Sequence, residues 1–169
     1  MSAASRSAVA KIVAHAPDAD AEPSSDTPAI AFGPLGDSLG FHLRLAQLKA
    51  FEAFFATFTD ERLQPGAVSV LITIGENPGI RQGVLAGALM IKRSHMAKIV
   101  QGFGEAGLIE RQVPADDRRA VELRLTPSGR RQVEALMPKF LQHEAASTHG
   151  LSESERETLF SLLRKINGL

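Results

Sequence analysis

The chain has 169 residues, 44% of them apolar, with 19 basic and 19 acidic side chains and no cysteine. That size buries one sizeable core with little room for a second domain, and no apolar run approaches the ~20 residues that a membrane-spanning helix needs. Without cysteine there is no disulfide framework, thiol nucleophile or thiol redox sensor; with no secretory leader pattern either, the expected location is cytoplasmic.

Residues 1–36 are rich in Ala, Ser, Asp and Pro. Ala8, Val9, Ile12, Val13 and Ala16 share one helical face, but Pro17, Pro23, Pro28 and Pro34 then break the period. This stretch reads as a flexible N-terminal arm, and 37–169 as the folded domain. A long first helix is expected over Asp37–Phe58. Phe51, Phe54, Phe55 and Phe58 fall at i, i+3, i+4 and i+7 and make a core stripe. Phe41, Leu45 and Leu48 make a second stripe on another face. A helix apolar on two sides lies deep in a core or is clamped between its own domain and another subunit. Its aromatic rings also suit a ligand pocket. Phe41, His42, Arg44, Phe51 and Phe55 are the candidate ligand-binding residues, with simple core packing the competing reading for each phenylalanine.

Pro65 suits the first position of a second helix whose Val68, Leu71 and Ile72 form its apolar face. Asn77-Pro78-Gly79 is a turn. A short helix over Arg81–Leu89 follows, with Val84, Leu85 and Leu89 facing inward. The next helix runs from about Lys92 to Glu105, with Met96, Ile99, Val100 and Phe103 as its buried stripe. Its other face presents Arg93, Ser94, His95, Lys98 and Gln101. Gly107-Leu108 ends it. Ile109–Val113 and Val121–Leu125 alternate with period two and read as a hairpin around the polar turn 114–120. Thr126-Pro127 is a helix start, and that helix carries Val133, Leu136, Met137, Phe140 and Leu141. Ser152 and Glu155 form a capping box for a last helix with the stripe Leu159, Leu162, Leu163 and Ile166.

Two short helices, a hairpin and long flanking helices match a mainly α fold with a small β-hairpin wing: a winged helix-turn-helix at about 65–126, with long dimerisation helices at about 37–60 and 127–169. Charge supports this reading. Residues 1–80 hold 5 basic and 9 acidic side chains, residues 81–131 hold 10 and 5, and residues 132–169 hold 4 and 5. The positive excess lies in the helix-turn-helix and wing, as phosphate binding requires. The second helix of such a pair can lie in a major groove, where Arg93, Ser94, His95 and Lys98 donate to bases or phosphates. Arg118 or Arg119 at the hairpin turn can enter a narrow minor groove, its fork held by Asp116 or Asp117. Arg81, at the start of the preceding helix, can meet a phosphate.

The segments 91–111 and 114–129 resemble the MarR family of bacterial transcription regulators. The resemblance is carried by Ile91, Arg93-Ser94, Gly107-Leu108-Ile109-Glu110-Arg111, Pro114, Asp117-Arg118-Arg119-Ala120 and Leu125-Thr126-Pro127-Ser128-Gly129. Upstream, Pro65, Leu71, Gln82, Leu85-Ala86 and Leu89 also fit. The resemblance implies a homodimer that pairs its first, fifth and sixth helices and binds a pseudo-palindromic double-stranded operator. It also implies repression, relieved when a small aromatic or phenolic ligand binds between the dimer helices and the DNA-binding lobe. Gly40–Phe55 and Gly79–Lys98 are similar to regulators of aromatic-acid breakdown, some of which respond to aromatic acyl-coenzyme A thioesters. Two departures stand out. Phe103-Gly104 replaces a leucine-glutamate pair common in the family, and Arg81 replaces a Ser or Thr cap. Gly102 and Gly104 each weaken a helix interior by up to ~1 kcal/mol relative to Ala, so a soft end to the recognition helix is expected.

The competing reading is a winged-helix protein-interaction module without sequence-specific DNA binding, which the same fold can serve. An enzyme is not expected, since no catalytic spacing or phosphate loop is present. No cofactor is expected. Nor is a metal: His143 and Glu144 are adjacent rather than four apart, and His15, His42 and His149 show no ligand spacing.

Overall fold

The computed structural model describes residues 30–59, 63–115, 117 and 120–169. They divide into two units, Met1–Ser38 and Leu39–Leu169. The described part of the first holds a 3-10 turn, Gly33–Asp37, with Pro34 in its opening turn and Ser38 N–H donating to the Leu35 carbonyl at 3.0 Å. The helix expected from Asp37 therefore starts later.

The second unit runs α1 (Leu39–Thr57), α2 (Pro65–Glu76), β1 (Ile80–Arg81), α3 (Gln82–Ala88), α4 (Arg93–Glu105), β2 (Ile109–Gln112), β3 (Glu122–Leu125), α5 (Pro127–Ser147) and α6 (Glu153–Asn167). The order is that of a winged helix-turn-helix between long helices. α2 is the hub: Val68, Val70, Leu71 and Ile74 are all buried. Around it close Phe54 and Phe58, Leu85 and Ala86, the Met96/Val100/Phe103 stripe of α4, Ile109, Leu123 and Leu125 of the sheet, and Leu136 of α5. Phe54 stacks on Phe58 with ring centroids 4.3 Å apart, and the buried His143 of α5 sits edge-on to Phe54 at 5.5 Å.

The sheet has three strands, ordered β1-β3-β2 and antiparallel throughout. The hairpin pairs Ile109 with Leu125 and Gln112 with Glu122. The third strand, Ile80–Arg81, lies where the sequence reads as the start of a helix. A two-residue strand has no period to reveal it. What creates it is the turn before it: Gly79 adopts φ +90, and its N–H donates to the Leu123 carbonyl at 2.8 Å. Arg124 lies over this glycine, and a Cβ there would meet its Nη2 at 2.7 Å. Between α3 and α4 the chain turns through Met90, at φ 52 and 94% exposed. A non-glycine residue in this region carries strain of about 1–2 kcal/mol.

α4 continues to Glu105 through both glycines. The buried Phe103 anchors the last turn, and Gln101 Nε2 donates to Glu105 Oε1 at 2.9 Å across it. Gly107, at φ +69, closes the helix. α5 starts at a built junction. Thr126 accepts from the Gly129 N–H at 3.0 Å, donates its hydroxyl to the Gly107 carbonyl at 2.7 Å, and donates its N–H to the Leu108 carbonyl at 3.0 Å. Pro138 lies inside α5, which runs on to Ser147. α6 begins with the expected capping box: Ser152 Oγ accepts from the Glu155 N–H, while the Glu155 carboxylate accepts from the Ser152 N–H at 2.8 Å. The Ser152 hydroxyl, and then its backbone N–H, hold the Glu155 carboxyl below its ordinary value.

Two apolar expectations need correction. Phe51 and Phe55 are 38% and 40% exposed, so the four-phenylalanine stripe splits, and only Phe54 and Phe58 are core. Val84 is 60% exposed rather than inward. The α6 stripe is also largely uncovered, with Leu159, Leu162 and Ile166 exposed, as is Leu141 of α5. Among the described residues no helix is long and apolar enough to cross a membrane.

Candidate nucleic-acid interface

The amphipathic split of α4 is what builds the site. Met96, Val100 and Phe103 lock one face into the core, so Ser94, Lys98 and Gln101 are exposed on the opposite face with His95 at its flank, while Arg93, in line with the buried stripe, is exposed at the start of the helix. The helix start is cationic. Lys92 is the N-cap residue, makes no side-chain cap, and no acid lies in the first turn. α3 repeats this with Arg81 as its N-cap. Cations near a helix N-terminus oppose the macrodipole, at a cost of about 0.3–1 kcal/mol each. α6 shows the ordinary solution, a serine cap with Glu153 and Glu155 in its first turn. Stability is given up at α3 and α4, in a place where a bound anion would restore it.

Arg81 and Arg93 line one cleft of about 400 Å³, with Gln82, Gly83, Val84, Ala86, Ala120 and Val121. The exposed Val84 is thus part of this wall. Arg81 is fixed from two sides. Its backbone pairs with Glu122 in the sheet, and its Nη1 lies 3.5 Å from Asp117 Oδ2. The reading that Asp116 or Asp117 holds an arginine of the wing turn rests on residues outside those described; Asp117 itself meets Arg81, on the edge strand β1. The sequence gives no signal for this pair, because Arg81 reaches Asp117 only through the unforeseen strand β1. Asp116, Arg118 and Arg119 lie outside the described residues. Two further cations flank the wing: Arg111 is exposed on β2, and Arg124 on β3 lies 3.9 Å from Glu122. Charge counting flagged the segment that contains them, but no motif singled them out.

The candidate ligand residues are brought together only in part. Arg44, Phe51 and Phe55 are exposed and share one face of α1, at i, i+7 and i+11, with half-buried Phe41 at its flank. His42 falls on the opposite side, its ring edge-on to Phe41 with centroids 5.8 Å apart. His143, buried in α5, has Nδ1 3.3 Å from Ser147 Oγ and Nε2 3.6 Å from Glu144 Oε1. Among the described residues no three histidines or carboxylates gather in metal-ligand geometry.

Comparison with known proteins agrees with this geometry. The MarR family model matches residues 63–121, which hold α2, the helix-turn-helix and the first strand and turn of the wing. The chain is 35% identical over 144 residues to a protein assigned to transcriptional regulation of the hcr operon in Thauera aromatica, covering 85% of this chain and 87% of that one. Among solved structures, the transcriptional repressor CouR bound to a 23-mer DNA duplex is similar with a TM-score of 0.75 and 31% identity, over 82% of this chain and 99% of that one. CouR bound to p-coumaroyl-CoA is similar with a TM-score of 0.71 and 29% identity, over 82% and 98%.

Proposed function

The chain belongs to the MarR family of transcription regulators, and from that premise we propose that it is a repressor. It binds a pseudo-palindromic operator as a homodimer and leaves when a small aromatic acid or its acyl-coenzyme A thioester binds. The observation that carries the DNA-binding part is the uncapped, acid-free and cationic start of α4, next to the cleft that Arg81 and Arg93 share. In this reading Ser94 and His95 reach base edges in the major groove, while Lys98, Arg81 and Arg93 meet phosphates. Arg118 and Arg119 serve the minor groove from the wing. Ser94 and His95 need no repositioning, since both already stand exposed on the first turn of α4.

Dimerisation is supported by the uncovered apolar residues of α1, α5 and α6. Leu39, Leu43 and Leu45 join Leu141, Leu159, Leu162 and Ile166 among the exposed large side chains. So many exposed aliphatic residues on the terminal helices suit burial against a second copy. The effector reading rests on Arg44, Phe51 and Phe55, exposed on one face of α1, with the half-buried Phe41 at its flank: aromatic rings and a cation on adjoining faces. An aromatic carboxylate or thioester suits such a set, and the CouR complex with p-coumaroyl-CoA supports the class. His42 lies off this face and is the weakest member.

Lys98→Ala is expected to reduce the slope of log K against log salt by about 1, the loss of one phosphate contact. An unchanged slope in a titration with the DNA upstream of the gene removes Lys98 from the interface. For the effector, a thermal-shift series of aromatic acids and their coenzyme A thioesters is expected to yield a stabilising compound that also lowers operator affinity. Saturation at 100 times Kd stabilises by about 2.7 kcal/mol, and release from DNA requires different affinities for the free and DNA-bound conformations. Operator affinity that no such compound changes would leave the α1 phenylalanines as packing residues.

A further inference from the structure

We propose that Asp117 is a positioning residue: it holds the Arg81 guanidinium at the cleft that Arg93 also lines, so that the two arginines grip one phosphodiester of the DNA backbone. This rests on the DNA-binding reading above and adds the arrangement that makes it work.

An acid on a DNA-facing surface is at first sight a liability, because it repels phosphate. Asp117 lies in the turn of the wing, where its carbonyl accepts from the Ala120 N–H at 3.0 Å. The next residue, Val121, accepts from the Gln82 N–H at 2.8 Å, which ties the wing directly to the first residue of α3. Arg81 is the last residue of β1 and pairs with Glu122. Arg81 is therefore held by the sheet beside the strand that follows the wing turn, and its side chain meets Asp117 of that turn at 3.5 Å. Both are substantially exposed, 43% and 41%, so the ion pair itself contributes little to folding. Its consequence is geometric. It restricts a long and otherwise mobile arginine to one side of the cleft, ahead of binding.

The cleft fits an anion of this kind. Arg93 lines the same cleft, and Gly83, also in its lining, has open space where a side chain would be. The other carboxylate at this strand, Glu122, has Arg124 3.9 Å away on β3. A phosphodiester placed between Arg81 and Arg93 would accept from both, and Arg81 can still face Asp117 through the remainder of its guanidinium fork.

The test is a double-mutant cycle on the full chain. Affinity for the upstream duplex is read by fluorescence anisotropy at several salt concentrations, with thermal unfolding of each variant alongside. Arg81→Ala is expected to reduce the salt slope by about 1. Asp117→Asn is expected to weaken binding about 5- to 10-fold although it removes a negative charge, and to leave binding unchanged or tighter when Arg81 is already Ala. Asp117→Glu, which keeps the carboxylate, is expected to restore most of the affinity. Tighter binding by Asp117→Asn with Arg81 present would overturn the proposal, since Asp117 would then only repel DNA. An equal loss in both backgrounds would overturn it too, because Asp117 would not act through Arg81. A wild-type chain that binds no duplex overturns the DNA-binding reading itself, an outcome distinct from either.

Discussion

Gly129→Ala is expected to destabilise the fold by about 3 kcal/mol, an overpacking effect at the upper end of the usual range. Helix propensity alone predicts the opposite sign, since Ala is favoured over Gly in a helix by about 1 kcal/mol. Packing decides the matter. A Cβ on Gly129 would overlap the Leu108 carbonyl oxygen, with the Leu108 carbonyl carbon at 3.0 Å and Leu125 Cδ2 at 3.3 Å. The Leu108 carbonyl cannot swing away, because it accepts from the Thr126 N–H at 3.0 Å. This junction holds the wing, the end of the recognition helix and the start of α5 together, so the loss should also reach DNA binding. Urea unfolding of the purified variant gives the number. A midpoint equal to or above that of the wild type would show that the junction relaxes at no cost.

Leu162→Glu is expected to convert the chain from dimer to monomer and to lower affinity for a two-half-site operator about 100-fold, the lower end of what a second linked contact contributes. Leu162 is 54% exposed in the single chain and lies with Leu159 and Ile166 on α6. Were the chain a monomer, a charge at so exposed a position would change stability by less than about 0.5 kcal/mol and leave the mass in solution unaltered. Light scattering coupled to size exclusion separates the two. A dimer that survives the substitution would place the interface elsewhere.

Periodicity made the recognition helix legible. Met96, Val100 and Phe103 repeat as a helix must to bury one side, and once that face is fixed, Ser94, His95 and Lys98 have only the outside. The start of α5 was legible for a different reason, because Thr126-Pro127 carries local chemistry that needs no tertiary context. What escaped was non-local. β1 is two residues long and pairs with a strand some forty residues further on, so neither pattern nor propensity marks it. With β1 went the Arg81–Asp117 contact, the feature that most changes the picture of the wing. Phe51 and Phe55 show a further limit: spacing tells which residues share a face and not what covers it, and here two rings of an apolar stripe stand exposed. Gly102 and Gly104 both lie within α4, with the buried Phe103 between them.

The central claim is that a dimer presents two copies of α4 to one operator. Footprinting of the DNA upstream of the gene tests it most directly. The account predicts protection of a pseudo-palindrome whose half-sites are centred about one helical turn apart, lost together when Arg93 is replaced by Ala. Protection of a single half-site, or of no sequence in preference to random DNA, would contradict it.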